Sequence, residues 1–386
     1  MMSTKANVLL GKTFLFVGTV IAAAGLADAR AGDPIADSYI CTLVEGPISV
    51  GSVARGAVSN AGGRLNHVYQ HVLHGFSASM SSTAIAKMMA KNPWIESCSQ
   101  DRIASLPPTS VTNVIAAGRP VGGGGGGGNS TQVTPWGVTR VGGPGSGSGK
   151  TAWIVDSGID LTHPDLNVDA ASSTSLLASD SSPNDANGHG THVAGIIGAK
   201  NNSIGVVGVA AGARLVAVRV LDASGNGPDS GVIAGIEYAV THGSPGDVIN
   251  LSLITSTMPE MDAAVANAGA AGFLVTIAAG NNSAFAGNYS PAEADGPNVY
   301  TVSATDSKDV FARYSNYGNP PIDYAEPGSS IQSTYKNGGY ATLSGTSMAA
   351  PHLAGVLLLR GGAAPSTSGA KAVRDPDGNP DPIGVK

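Results

Sequence analysis

From Gln132 onward the chain alternates short apolar runs with helix-forming stretches, and this repeat limits the fold more than any other feature of the 386 residues. The runs at 152–156, 215–221, 248–253, 273–278 and 299–304 have the length and β-branched content of buried strands. Helices are predicted near 189–198, 230–241, 260–270 and 347–359. Strands apolar on both faces need cover on both, so the expected fold is α/β, a doubly wound and mainly parallel sheet with helices on each side. In such sheets reactive groups gather at the carboxyl ends of strands, where Asp156 and Asn281 fall.

Three segments carry side chains suited to one chemistry. Thr151-Ala152-Trp153-Ile154-Val155-Asp156 ends a strand on a carboxylate, followed by the turn signal Ser157-Gly158. In Asn187-Gly188-His189-Gly190-Thr191-His192-Val193-Ala194-Gly195 an imidazole precedes a helix of small residues. In Gly345-Thr346-Ser347-Met348-Ala349-Ala350-Pro351 a serine stands at a helix start, where unpaired N–H groups and a partial positive charge favour an oxyanion. Singly, such an Asp is often a turn former, such a His structural and such a Ser an N-cap. Jointly they supply what acyl transfer by serine requires: a nucleophile, a base that returns its proton to the leaving amine, and a carboxylate that fixes the imidazole tautomer. His192 could form a metal pair with His189, but the glutamate and third ligand of a zinc protease are missing, and His192 reads as structural.

Through Val155-Asp156-Ser157-Gly158, His189 to Gly195 and Gly345 to Pro351, in the chain order Asp, His, Ser, the sequence resembles the subtilisin-like serine protease (subtilase) family. The resemblance implies that Asp156, His189 and Ser347 form a catalytic triad. It makes Asn281, in Thr276-Ile277-Ala278-Ala279-Gly280-Asn281-Asn282, the side-chain donor to the oxyanion, with the Ser347 N–H as the second. It also assigns Ser252, Leu253 and Ile254, with Ala278, Ala279 and Gly280, to edges that bind a peptide as an added strand. Ile254 stands where the family has glycine, and its side chain could crowd the cleft. Tyr289 falls near the floor of the family's main specificity pocket, which its ring could shorten, though it could equally point elsewhere. A structural calcium site is implied at the side chains of Gln132, Asp165 and Asn202 and the carbonyls of Lys200, Ile204 and Val206, in keeping with a cation that takes six to eight oxygens.

A net charge of −6 and the lack of a basic stretch exclude nucleic acid as an expected partner. Residues 1–31 carry Lys5 and Lys12, an apolar run at 13–26 and then small residues, the layout of a secretory signal peptide, with a retained anchor as the alternative. Residues 36–104 read as a small α+β unit with strands at 38–44 and 75–80 and a helix at 82–91; it resembles the family's propeptide, a folding assistant and intramolecular inhibitor. Both cysteines, Cys41 and Cys98, lie in it, on strands that the resemblance makes neighbours; one bridge is possible and its formation is left open. Residues 105–131, with Pro107-Pro108 and seven glycines at 122–128, read as a flexible linker holding the maturation site. A catalytic domain at 132–361 and a turn-rich tail at 362–386 complete the chain. The expected protein is a secreted, calcium-stabilised, monomeric serine endopeptidase, made as an autoprocessed zymogen and acting on polypeptides, with no membrane contact in its mature form. The alternatives are a catalytically silent peptide-binding scaffold and an acid-acting serine-carboxyl peptidase, which would need a glutamate in place of His189.

Overall fold

A computed structural model describes residues 29–46, 49–116 and 132–386. The expected signal peptide up to residue 28 and the glycine tract of the linker lie outside the described residues.

The largest sheet runs, edge to edge, Ser366–Lys371, Pro382–Val385, Ile322–Pro327, Val299–Thr305, Leu274–Ala278, Val248–Leu251, Thr151–Asp156, Arg214–Arg219 and Thr174–Ser175. All its neighbours pair in parallel except the first two strands. Alternate residues of each strand feed opposite cores, as the pleat dictates. Ala152 and Ile154 join Val193, Ile197, Met348 and Leu353 under the helices His189–Gly198 and Thr346–Leu359. Trp153 and Val155 join Val232, Ile236, Met261 and Val265 under Asp229–His242 and Pro259–Ala270. Each fully buried Val, Leu, Ile or Met side chain among these contributes about 1.5–3 kcal/mol. The doubly wound sheet is therefore present with helices on both faces, and the expected elements differ from the observed ones by one or two residues at their ends.

Elements that lack a long apolar run lie beyond that expectation. Ile322–Pro327 is a strand of the main sheet, and Ile331–Tyr335 and Gly339–Ser344 form an antiparallel hairpin. The tail keeps turns around 374–380 but also carries the last two strands, and Ile383 pairs with Ala325 at the sheet's edge. The region read as a flexible linker begins differently as well: Ser110–Ile115 is a strand, antiparallel to Gly339–Ser344.

The N-terminal unit has an antiparallel sheet in the order Ile95–Ser105, Pro34–Leu43, Gly75–Ser79, Arg64–Tyr69, covered by helices Val50–Asn60 and Ser82–Lys91. Ser49 and Ser81 cap these helices by accepting from the N–H groups of Ser52 and Ala84. Cys41 and Cys98 face each other on adjacent strands and are joined by a disulfide. The sheet does not end within the unit: Asn226–Pro228, from the larger unit, pairs antiparallel with Ile103 to Ser105 and becomes its fifth strand. Among the described residues no helix is long and apolar enough to cross a membrane.

Candidate active site

Asp156 ends the central strand Thr151–Asp156, where the connections switch sides, Arg214–Arg219 lying on one flank and Val248–Leu251 on the other. Such a switch point leaves a crevice at the carboxyl ends of the strands. His189 opens the helix that packs across this end, and its Nδ1 lies 2.9 and 3.0 Å from the two carboxylate oxygens of Asp156. The approach depends on Gly190, since a side chain there would run into the Gly158 carbonyl. Both groups are buried, and the carboxylate can hold the imidazole in the tautomer that leaves Nε2 free to accept a proton. His192 is set differently: Nε2 faces the carbonyls of Ile331 and Ala341 at 3.1 and 3.2 Å, and burial pushes its pKa down to about 3. It stays neutral and structural, as its sequence context implied.

Ser347 is the second residue of the helix Thr346–Leu359. Asn281, just beyond the strand Leu274–Ala278, accepts from the Thr346 N–H at 2.9 Å and hydroxyl at 2.8 Å through Oδ1, leaving Nδ2 to point outward at the helix start. The Gly280 N–H donates to the Thr346 hydroxyl at 3.1 Å, and Asn316 holds the Ala279 carbonyl through Nδ2 at 2.8 Å, so the 278–281 turn is fixed from both sides. Ser252 donates to the Ser347 carbonyl at 3.1 Å and is itself held by Asn250, which accepts from Thr276. The hydrogen bond between Ser347 and His189 is not made. The Ser347 hydroxyl instead donates to the Ser252 carbonyl at 3.4 Å, and His189 Nε2 is buried without a partner among the described residues.

The crevice is filled by the chain's own N-terminal unit. Ser105 and Ile254 exchange both backbone hydrogen bonds, at 2.8 and 2.9 Å, and the Leu106 N–H donates to the Gly225 carbonyl at 2.9 Å. The segment thus lies as a strand between 225–228 and 254. The Asn281 Nδ2 donates to the Pro108 carbonyl at 2.9 Å. Ile254 offers its backbone to this added strand while its side chain is buried, so the crowding its side chain could have caused does not stop a strand from docking. Leu253 points into the second core. Tyr289 pairs with Ser256 and packs its ring against that same core.

Several groups that support the site carry no reactive signature in sequence. Asp185 is the chief of them: buried, it accepts from the N–H groups of Asn187, Gly188 and Thr191 and the hydroxyls of Ser157 and Thr191. It thereby fixes the turn that delivers His189. Its position just before a helix start is a capping signal that could have been read.

At the implied calcium site the Gln132 amide nitrogen lies 2.6 Å from the Lys200 carbonyl, 3.2 Å from Asn202 Oδ1, 3.2 Å from the Ile204 carbonyl and 3.0 Å from the Val206 carbonyl. Four oxygens from one loop converge on a single point. Asp165 sits beside them, buried, accepting from Asn202 Nδ2 at 2.8 Å and the Val206 N–H at 3.0 Å, and burial raises its pKa. This oxygen set suits a hard cation, and an amide can offer its own oxygen by a half-turn.

Residues 147–375 match the model of the subtilase family. Alkaline serine exoprotease A of Vibrio alginolyticus is 36% identical over 307 residues, which cover 77% of this chain and 53% of that protein. M-protease of Shouchella clausii is 45% identical over 235 residues, covering 59% of this chain and 60% of that protein. The chain therefore spans less than two thirds of the length of these two relatives. Alkaline serine protease ver112 of Corniculantispora psalliotae is 34% identical over 369 residues, 90% of this chain and 87% of that one. Among solved structures, a cold adapted subtilisin-like serine proteinase superposes with a TM-score of 0.55 at 34% identity, covering 66% of this chain and 98% of that one.

Proposed function

The chain belongs to the subtilase family, and on that premise we propose that it is a serine endopeptidase in its self-inhibited precursor form, hydrolysing peptide bonds of polypeptides. The observation that carries this reading is the backbone carbonyl of Pro108 held by Asn281 Nδ2 at the start of the Ser347 helix. A peptide carbonyl accepting that hydrogen bond is polarised where negative charge would develop on attack.

In the proposed mechanism Ser347 Oγ adds to the substrate carbonyl while His189 Nε2 takes its proton, and Asp156 stabilises the imidazolium through Nδ1. The tetrahedral oxyanion is held by Asn281 and by the N–H of Ser347. His189 then gives the proton to the leaving amine, and water, activated by the same imidazole, hydrolyses the ester. Substrates bind as a strand between 225–228 and 252–254, where main-chain hydrogen bonds are available whatever the side chains. For attack, the Ser347 hydroxyl must turn from the Ser252 carbonyl toward His189.

The residues 34–105 act in this reading as an inhibitory propeptide, and the leader exports the chain. The disulfide supports export, since such bonds persist in oxidising compartments. Calcium, held by Gln132, Asp165, Asn202 and the carbonyls of Lys200, Ile204 and Val206, would tie the start of the catalytic unit to the 200–206 loop; its contribution is structural and no chemical step passes through it. The mature enzyme is taken to be a monomer.

A fluorophosphonate probe tests the core of this reading. The processed protein should take one label at Ser347 and cleave an added polypeptide, and Ser347→Ala should do neither while keeping its fold. The unmade bond between Ser347 and His189 is the one observation on the side of a silent peptide-binding scaffold. A folded, processed protein that bound peptides but took no label would establish that alternative.

A further inference from the structure

The segment that fills the cleft is anchored on both sides of Ser347. Upstream, Ile103 to Leu106 is clamped between 225–228 and Ile254, and Leu106 packs so close over Gly225 that a Cβ there would lie 2.7 Å from its Cδ1. Downstream, Ser110 and Val111 pair with Ser344 and Leu343, immediately before the helix that carries Ser347. Only Pro107, Pro108 and Thr109 remain to cross the site. The Pro107 carbonyl accepts from the Thr109 hydroxyl at 2.8 Å, whereas the Pro108 carbonyl accepts from Asn281. Thr109 itself lies against Gly345, its Oγ1 3.3 Å from where a Cβ of that residue would stand.

The antiparallel register adds a second observation. With Ser105 opposite Ile254, two steps along places Pro107 opposite Ser252. An ordinary residue at 107 would donate its N–H to the Ser252 carbonyl, but proline has none. The hydroxyl of Ser347 takes that acceptor instead, at 3.4 Å, and so points away from His189.

We infer that the chain cuts itself between Pro108 and Thr109, and that Pro107 retards the cut by leaving the Ser252 carbonyl to Ser347; this rests on the endopeptidase reading above. Ser347 Oγ bonds to the Pro108 carbonyl carbon and its proton passes to His189. The C–N bond to Thr109 breaks, and the proton from His189 completes the Thr109 amine. Water then adds to the Pro108 ester, its proton going to His189 and on to Ser347 as that oxygen leaves. The products are an N-terminal fragment ending in the Pro108 carboxylate and a chain beginning at Thr109. The strand Ser110–Ile115 stays with the catalytic unit through its pairing with Gly339–Ser344.

The test is a time course of the full-length precursor, read by intact mass and N-terminal sequencing of the first product. Thr109 should be the first new N-terminus, absent in Ser347→Ala. Thr109→Pro, which makes the leaving nitrogen a proline, should stop cleavage at this bond while the protein keeps the fold and the urea transitions of the uncut Ser347→Ala precursor. Pro107→Ala restores one hydrogen bond and should speed the cut about two- to tenfold without moving it. A first cut elsewhere, or normal processing of Thr109→Pro, would overturn the assignment yet leave the endopeptidase reading standing. An unlabelled precursor that cuts neither itself nor an added polypeptide would take both down.

Discussion

At the scale of single residues, Asn281 serves two partners with one amide: its oxygen fixes Thr346 at the helix start and its nitrogen holds the Pro108 carbonyl. Only the second contact changes strength as a carbonyl becomes an oxyanion. Asn281→Ala should therefore lower kcat about 100- to 1,000-fold with little change in KM, the size known for this kind of donor in subtilisin itself. Equal losses in affinity and turnover would mean that the residue binds substrate without favouring the transition state. Asp156, His189, Ser347 and Asn281 were legible because each sits in a contiguous motif whose neighbours set its strand end or helix start. Asp185 offered only a local capping signal, and Asn316 was not legible, because its work is to hold backbone groups at 279 and 282 that only folding brings near. The same reason hid the meaning of Pro107, which depends on Ser252, far away in sequence.

Among elements, the strands that could be read in advance are those buried on both faces, whose apolar runs show without an alignment. Ile322–Pro327, Ile331–Tyr335 and Gly339–Ser344 mix polar and small residues and gain their partners only from the fold. Ser110–Ile115 was hidden by its setting beside prolines and glycines, although its own residues suit a strand. The disulfide joins two strands of a small unit with a limited core, the situation in which such a link matters most. Cys41→Ser should cost that unit about 2–4 kcal/mol of stability, seen as an earlier first transition in urea. Because the chain has no other cysteine, the larger unit's transition should not move. Chelation should act on the other unit instead. With calcium removed, Tm of the catalytic unit should fall and be restored by added calcium, and Asn202→Ala should blunt both effects. A Tm indifferent to chelator and calcium would dismiss the site at Gln132, Asp165 and Asn202.

For the whole molecule, the two units meet through carboxylates. Glu237 accepts from the N–H groups of Gln70, His71 and Val72, and Asp101 accepts from the Ser230 N–H and hydroxyl at the start of the helix Asp229–His242. Asp229 is buried among Asp101, Glu260 and Arg102; one oxygen accepts from Thr255 and the other has no partner among the described residues. Burial first, and then the charge of Asp101, push its pKa well above the usual carboxylate value. The Asp229 carboxyl would ionise more readily once the units part and water reaches it. Docking should therefore be strongest below the ordinary carboxylate pKa and weaken as pH rises toward the raised value, by up to about 1.4 kcal/mol per pH unit. Measured as release of the cut N-terminal unit against pH, this slope should flatten in Asp229→Asn; release that slows as pH rises would contradict it. The border between the units runs through a hydrogen-bonded sheet, because Asn226–Pro228 completes the sheet of the N-terminal unit. Parting them consequently resembles unzipping more than sliding: the ladder at 103–106 has to open rung by rung, and a severed chain can stay silent until it does.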